Sequence, residues 1–117
     1  MRIITLVIGK KGAGKSKWIL EKKDEMLSEG WEKIDAINEN DRNIAIFVLK
    51  SPAGEVAILN SGSDLKCIIK EFGDFLAQHE EASRIFTAIR PQNTDLHDRM
   101  LEVLSIQDDD IIERIEL

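Results

Sequence analysis

A glycine-rich run, Gly9–Ser16, lies between an apolar segment and the start of a helical pattern. The preceding residues, Ile3–Ile8, are β-branched or apolar throughout, which is typical of a strand covered on both faces. From Ser16 onward, apolar residues recur every three or four positions until Gly30, a residue type that favours a helix C-terminus. The sequence therefore predicts a strand, a tight loop and a helix in direct succession.

The glycine-rich loop reads GKKGAGKS and matches the pattern G-x-x-x-x-G-K-[ST] at every fixed position. Glycines allow positive φ, so successive backbone N–H groups can converge on an anion, and the positive end of the following helix adds to the effect. In this pattern Lys15 reaches the β- and γ-phosphates of a nucleotide, and the Ser16 hydroxyl binds Mg²⁺. The residues predicted to surround the phosphates are Gly9, Lys10, Lys11, Gly12, Ala13, Gly14, Lys15, Ser16 and Lys17.

The alternative interpretation is a flexible surface turn whose lysines are simply solvated. Lys10 and Lys11 occupy the free positions of the pattern, so they support phosphate binding only through their charge. The position of the loop between a buried-type strand and a helix favours the phosphate-binding interpretation.

Length and charge limit the remaining classes of function. The 117 residues correspond to one domain, 1–117, and the formal net charge of −6 disfavours nucleic acid and anionic membrane surfaces as partners. Apolar runs fall short of the roughly 20 residues that a membrane span needs, and a single cysteine, Cys67, forms no internal disulfide. We therefore expect a cytoplasmic protein without signal peptide or membrane anchor, in which the loop lysines attract a small anion.

The rest of the chain alternates between strand and helix patterns. Two apolar runs, Ile44–Leu49 and Val56–Leu59, are joined by a short turn and predict an antiparallel hairpin. The spacing Ser61-x-x-Asp64 resembles a capping box that begins a second helix. Further predicted elements are the strand Ile85–Ile89, a helix capped by Asn93 or Thr94 that runs to Leu104, and the strand Ile111–Leu117, whereas Trp31–Arg42 is unassigned.

This order predicts a three-layer α/β domain with a mostly parallel sheet and an antiparallel hairpin strand. If the strands at Ile3, Val56 and Ile85 run parallel, their carboxyl ends share one edge of the sheet. Three loops are then expected along one rim: Gly9–Ser16, Asn60–Asp64 and Arg90–Thr94.

The loop and this layout resemble the P-loop NTPase superfamily over most of the chain. The resemblance implies a P-loop fold that binds a nucleoside triphosphate, ATP or GTP, together with Mg²⁺. The runs ILNSGSD (Ile58–Asp64) and FTAIRPQNT (Phe86–Thr94) are more loosely similar to small uncharacterised bacterial P-loop proteins, in which a Gly-Asp-like turn and an arginine-containing strand end follow the loop.

P-loop NTPases usually carry a second acid at the end of an apolar strand, and here the matching strand ends in Asn60, which can coordinate the metal but carries no charge. Asp64 is the nearest acid, and it is interpreted either as a second Mg²⁺ ligand beside Ser16 or as part of the helix cap. Glu39 and Asp41 are further candidates for the second acid that binds the metal. Arg90 is expected either to contact phosphate or a second substrate, or to be solvated.

The candidate catalytic residues are accordingly Lys15, Asp64 and Arg90. The leading hypothesis is a small Mg²⁺-dependent ATP- or GTP-binding protein with weak NTPase or phosphotransferase activity, because no clear catalytic base is present. The alternative is a non-catalytic module in which bound nucleotide controls a protein-interaction surface. The chain is too short for a lid, so closure over the γ-phosphate would come from a partner protein or a second copy.

Three side chains outside the loop carry simpler expectations. His79 and His97 lack a partner at ligand spacing and are predicted to be exposed on helices. Cys67 is predicted to be a packed or half-buried thiol.

Overall fold

The computed structural model describes residues 1–117 and contains six strands and three helices. The strands are β1 (Ile3–Ile8), β2 (Glu32–Ile37), β3 (Ile46–Lys50), β4 (Val56–Asn60), β5 (Arg84–Ile89) and β6 (Ile111–Glu116). The helices are α1 (Lys15–Ser28), α2 (Lys66–Gln78) and α3 (Asp95–Leu104). None of these helices is long and apolar enough to cross a lipid bilayer.

The strands form a single mixed sheet in the order β2-β3-β4-β5-β1-β6. The pairs β1–β5, β1–β6 and β4–β5 are parallel, whereas β3 is antiparallel to both of its neighbours, β2 and β4. The predicted hairpin and the predicted parallel arrangement of β1, β4 and β5 are therefore confirmed.

The sheet lies between two layers of helices because alternate strand residues face opposite sides. On one face, side chains such as Leu6 and Ile58 pack with Phe72 of α2 and Met100 of α3. On the other face, Val7 and its neighbours pack with Ile19 and Met26 of α1. Because both faces are covered, β1 and β4 are buried along almost their whole length. A domain of α/β class is confirmed.

The segment left unassigned by the sequence contains β2, which pairs only with β3 at the edge of the sheet. Its residues, EKIDAI, are exposed or half-buried, and the register shifts between Lys33 and Asp35. An edge strand with little burial has no strong hydrophobic alternation, which is why the pattern did not reveal it.

The opposite edge strand, β6, brings both the start and the end of the chain into the sheet. Leu117, the residue that follows β6, donates its backbone N–H to the Ile8 carbonyl at 2.9 Å. At the other end of the strand, Arg2 forms a two-point ion pair with Asp110: Nε lies 3.2 Å from Oδ1 and Nη2 lies 2.7 Å from Oδ2. Arg2 also donates to the Leu104 carbonyl, so one side chain joins β1, α3 and the turn before β6.

We expect Arg2→Met to lower the free energy of unfolding by about 1–2 kcal/mol at neutral pH, because the Asp110 side chain, only 1% exposed, loses its charged partner. The hydrogen bond from Arg2 is the main reason that the pKa of Asp110 falls to about 2. A carboxyl group with a depressed pKa in the folded state stabilises the fold above its unfolded pKa, and this stabilisation is lost as the pH falls through the folded value.

The measurement is urea unfolding of both proteins at several pH values. The difference between wild type and variant should be largest above about pH 4 and should shrink toward pH 2. A difference that is independent of pH would assign the effect of Arg2 to packing and to its carbonyl contacts.

Candidate functional site

The three loops expected along one rim do meet at the carboxyl edge of β1, β4 and β5. The contacts that join them are ionic: Arg90 Nε lies 2.6 Å from Asp64 Oδ1, and Lys15 Nζ lies 3.6 Å from the same oxygen. The loops after β1, β4 and β5 thus each contribute one charged side chain to a single cluster. Lys15, Asp64 and Arg90, the three candidate catalytic residues, are brought together.

The glycine-rich loop curls as its glycines allow. Gly12 and Gly14 have φ values of +84° and +100°, which disfavour any residue with a side chain. Gly9 is required for another reason, since a Cβ there would come within 2.8 Å of the Ala13 Cβ. The loop conformation therefore depends on glycine at all three positions.

This conformation leaves several backbone N–H groups of the loop without an acceptor in the protein. Ala13 donates its N–H to the Lys10 carbonyl, and the first intrahelical bond of α1 begins with Trp18. The N–H groups of the other residues between Gly9 and Trp18 make no hydrogen bond within the protein: Lys10, Lys11, Gly12, Gly14, Lys15, Ser16 and Lys17. Together with the N-terminus of α1, they form a concentration of positive partial charge.

The Lys15 ammonium group crosses this curve and is almost fully buried, with a side-chain exposure of 5%. It donates to the carbonyl oxygens of Gly9, at 2.7 Å, and Lys10, at 3.1 Å. Burial lowers the pKa of Lys15 below its ordinary value, an effect that the charge of Asp64 opposes and the charge of Arg90 reinforces. The loop therefore holds a cation in a poorly solvated position, where an anion interacts with it more strongly than in water.

Asp64 does not take part in a helix cap, so the predicted capping box is wrong. Helix α2 begins at Lys66, its N-cap residue is Leu65, and no side chain caps it. Asp64 instead forms ion pairs with Arg90 and Lys15. Burial, the largest single influence, raises the pKa of Asp64, but the hydrogen bond from Arg90 and the charge of Lys15 outweigh it, so the pKa lies below its ordinary value.

The Ser16 hydroxyl is oriented by the loop that follows β4. It donates to the Ser61 carbonyl at 3.3 Å, so the lone pairs of Oγ remain available to a further partner. Ser61 is itself fixed, because both its N–H and its hydroxyl donate to the Ala45 carbonyl of the neighbouring segment.

Asn60, the strand-end residue, is fully buried and spans this turn. Its Nδ2 donates to the Gly62 carbonyl at 2.7 Å and to Thr87 Oγ1 at 3.0 Å, while its Oδ1 accepts from the Gly62 N–H at 3.2 Å. All of these bonds are internal, so Asn60 acts as a clamp on the turn and has no oxygen directed to a metal. Its contribution to the site is the position of the Ser61 carbonyl.

The backbone of Arg90 contacts the first turn of α3. Its carbonyl oxygen lies 2.8 Å from His97 Nδ1, and Thr94 caps α3 by accepting from the His97 N–H, as predicted. His97 is only 6% exposed, so the prediction that it lies on the surface is wrong. The exposure predicted for His79 is also wrong, because it is half-buried and lies 3.0 Å from Asp35.

The charged cluster lines the floor of an open cleft of about 570 Å³. The loop and the first turn of α1, including Lys11 and Lys17, also line this cleft. Arg42 lines it as well, although the sequence contained no sign of this because Arg42 lies in the unassigned segment. Arg42 is exposed and has no ion pair in the protein.

The other residues predicted for the site lie outside the cluster of Lys15, Asp64 and Arg90. Lys10 and Lys11 have exposed side chains, and Lys17 forms a loose pair with Glu21 at 3.8 Å. The alternative acids are used elsewhere, since Glu39 pairs with Lys33 and Asp41 accepts from the backbone of its own turn. The prediction of a packed Cys67 is wrong, because its side chain is exposed.

Comparisons with known proteins found no relative of this chain. The chain matches no family model, and no curated protein and no solved structure is significantly similar to it.

Proposed function

We propose that this domain is a P-loop protein that binds a nucleoside triphosphate, ATP or GTP, together with Mg²⁺. The observation that carries the proposal is that one cleft is lined both by loop residues whose backbone N–H groups have no partner in the protein and by the buried Lys15 ammonium group. Phosphate oxygens are the acceptors that such an arrangement of donors binds best.

Of the two predicted Mg²⁺ ligands, Ser16 is available to the ion and Asp64 is already paired with cations. Mg²⁺ binds through a few protein oxygens and completes its octahedron with phosphate oxygens and water. Ser16 Oγ has the lone pairs for this role, and its hydrogen bond to the Ser61 carbonyl turns them away from that loop. Asp64, the second predicted ligand, would have to exchange one of its two cations for the metal.

The cations around Asp64 also indicate that any reaction at this site is slow. A general base needs a pKa near the working pH, whereas the pKa of Asp64 is held below its ordinary value. Arg90 and Lys15 can stabilise the charge on a transferring phosphoryl group, which is the larger part of catalysis in this class of reaction. We therefore propose weak NTPase or phosphotransferase activity.

A second candidate function is a non-catalytic, nucleotide-dependent interaction module. The observation that favours it is Asn60, which stands where a metal-binding acid is usual and whose side chain bonds only to Gly62 of the turn and to Thr87 of β5. In that case triphosphate binding would break the Asp64–Arg90 pair and displace the start of α2 without turnover.

The experiment is a calorimetric titration with nucleoside di- and triphosphates, each with and without Mg²⁺. We expect saturable binding of at least one triphosphate, and weaker binding of its diphosphate because Lys15 loses its contact with the γ-phosphate. Phosphate release that is proportional to protein concentration separates the enzyme from the module. If no nucleotide binds to the folded domain, the proposal is wrong.

A further inference from the structure

The cleft carries more positive charge than one bound nucleotide needs. Five cationic side chains line it and Asp64 is the single acid among them, which gives a formal charge of +4 in a chain whose net charge is −6. The five cations are Lys11, Lys15, Lys17, Arg42 and Arg90. A triphosphate with its Mg²⁺ carries about −2. Because Lys17 has a loose, exposed pair with Glu21 that offsets part of its charge, between about one and two positive charges remain unbalanced.

The side of the cleft on which the terminal phosphate would lie follows from Lys15, because the lysine of this loop pattern reaches the β- and γ-phosphates. Lys15 Nζ lies 3.6 Å from Asp64, so the terminal phosphate is expected on the side of the Ser61–Leu65 segment. Side chains beyond Asp64 on that side would face whatever lies next to the γ-phosphate.

Those side chains form a mixed apolar and cationic surface, which we call the far wall: Arg42, Ile44, Leu65 and Ile68. Ile44 and Ile68 meet over Gly62, where a Cβ would come within 3.2 Å of Ile44 Cα and 2.5 Å of Ile68 Cγ2. Leu65 is 59% exposed at the start of α2, although it is a large apolar residue. Arg42 supplies a cation without a partner beside them.

We propose that the far wall binds a second ligand next to the terminal phosphate, and that this ligand combines an apolar body with a phosphate-type dianion. The apolar body would cover Leu65 and Ile68, and the dianion, which carries about −1.5 to −2, would bind Arg42 and offset the positive charge that the nucleotide leaves in the cleft. This inference rests on the proposed function, because the position of the terminal phosphate defines the far wall.

The probes are phenyl phosphate, the simplest compound of this class, and inorganic phosphate, which lacks the apolar body. Each is titrated, with amide chemical shifts as the readout, into protein saturated with Mg²⁺ and the β,γ-imido analogue of whichever triphosphate binds more tightly. Saturation keeps the probes out of the glycine-rich loop. We expect phenyl phosphate to bind more tightly than inorganic phosphate and to shift resonances of the far wall.

Two variants and two matched controls test the assignment. Arg42→Ala should weaken phenyl phosphate binding by about tenfold and Leu65→Ser by about threefold to fivefold. The controls are Arg114→Ala, which also removes an exposed arginine without an ion pair, and Ile106→Ser, which also replaces an exposed apolar residue. Both lie outside the cleft and should leave binding unchanged.

The proposal is overturned if phenyl phosphate does not bind, if inorganic phosphate binds as tightly, or if the far-wall variants behave like their controls. The imido analogue is titrated first, so a failure of the nucleotide site is recorded separately. In that event phenyl phosphate is titrated into the free protein, where sensitivity to Arg42→Ala and Leu65→Ser still decides whether the far wall binds it.

Discussion

Lys15→Met should weaken triphosphate binding roughly 30- to 150-fold, since a charged hydrogen bond to phosphate is worth about 2–3 kcal/mol. Methionine keeps most of the length of the side chain and removes only the ammonium group. The fold should survive, because the loss of the bonds to the Gly9 and Lys10 carbonyls is offset by removal of a buried charge. Titration calorimetry gives the affinity, and thermal unfolding checks the fold.

Lys11→Met is the matched control, because Lys11 lines the same cleft but is exposed and makes no bond to the loop carbonyls. Its effect should be a few-fold at most and should diminish as salt is added, as expected of a solvated charge. If both variants lose the same affinity, the cleft attracts nucleotide only by its overall charge, and the specific role of Lys15 is wrong.

Asn60→Ala should have the second largest effect, a loss of about 2–4 kcal/mol in the free energy of unfolding. It leaves the buried Gly62 N–H and carbonyl without a partner. Thr87 loses one bond, although its hydroxyl still donates to the Ala88 carbonyl at 2.9 Å. Because the turn holds the Ser61 carbonyl, we also expect the Ser16 hydroxyl to lose its orientation. Triphosphate binding should then gain less from Mg²⁺ than in the wild type.

Comparison with a milder variant separates the two consequences. Thr87→Val removes only one of the bonds of Asn60 and leaves the Asn60–Gly62 clamp in place, so it should destabilise the fold and preserve the dependence on Mg²⁺. If Asn60→Ala destabilises the protein but the ratio of affinities with and without Mg²⁺ is unchanged, the turn has no role in orienting Ser16.

The sequence was sufficient for those parts of the fold that depend on continuous burial. Strands β1 and β4 are covered on both faces, and their uninterrupted apolar runs predicted them. The rim also followed, because parallel strands place their carboxyl ends on one edge. Strand β2 was missed, since an exposed edge strand needs no apolar alternation.

Side-chain partners were less predictable than positions along the chain. The spacing of Ser61 and Asp64 satisfied the local rule for a capping box, but Arg90, 26 residues further along, competes successfully for the Asp64 carboxylate. His97 was predicted to be exposed because nothing local to the sequence shows that the end of β5 packs against α3. In both cases a contact made by the sheet topology outweighed a local preference.

Arg42 illustrates a different limit. Its segment lacks a secondary-structure pattern, so the sequence offered no reason to place it near the glycine-rich loop. The structure brings it there because β3 pairs with β4, so the residues preceding β3 lie beside the turn that follows β4.

The hydrogen bond between Leu117 and Ile8 has a practical consequence for handling the protein. Because Gly9 follows Ile8 directly, a purification tag or fusion partner joined after Leu117 would emerge beside the glycine-rich loop and could obstruct its ligand. Met1 lies at the opposite end of β1 and β6, with its amino group 3.3 Å from Asp109 Oδ2. Affinity tags and fluorescent labels for the measurements above therefore belong at the amino terminus.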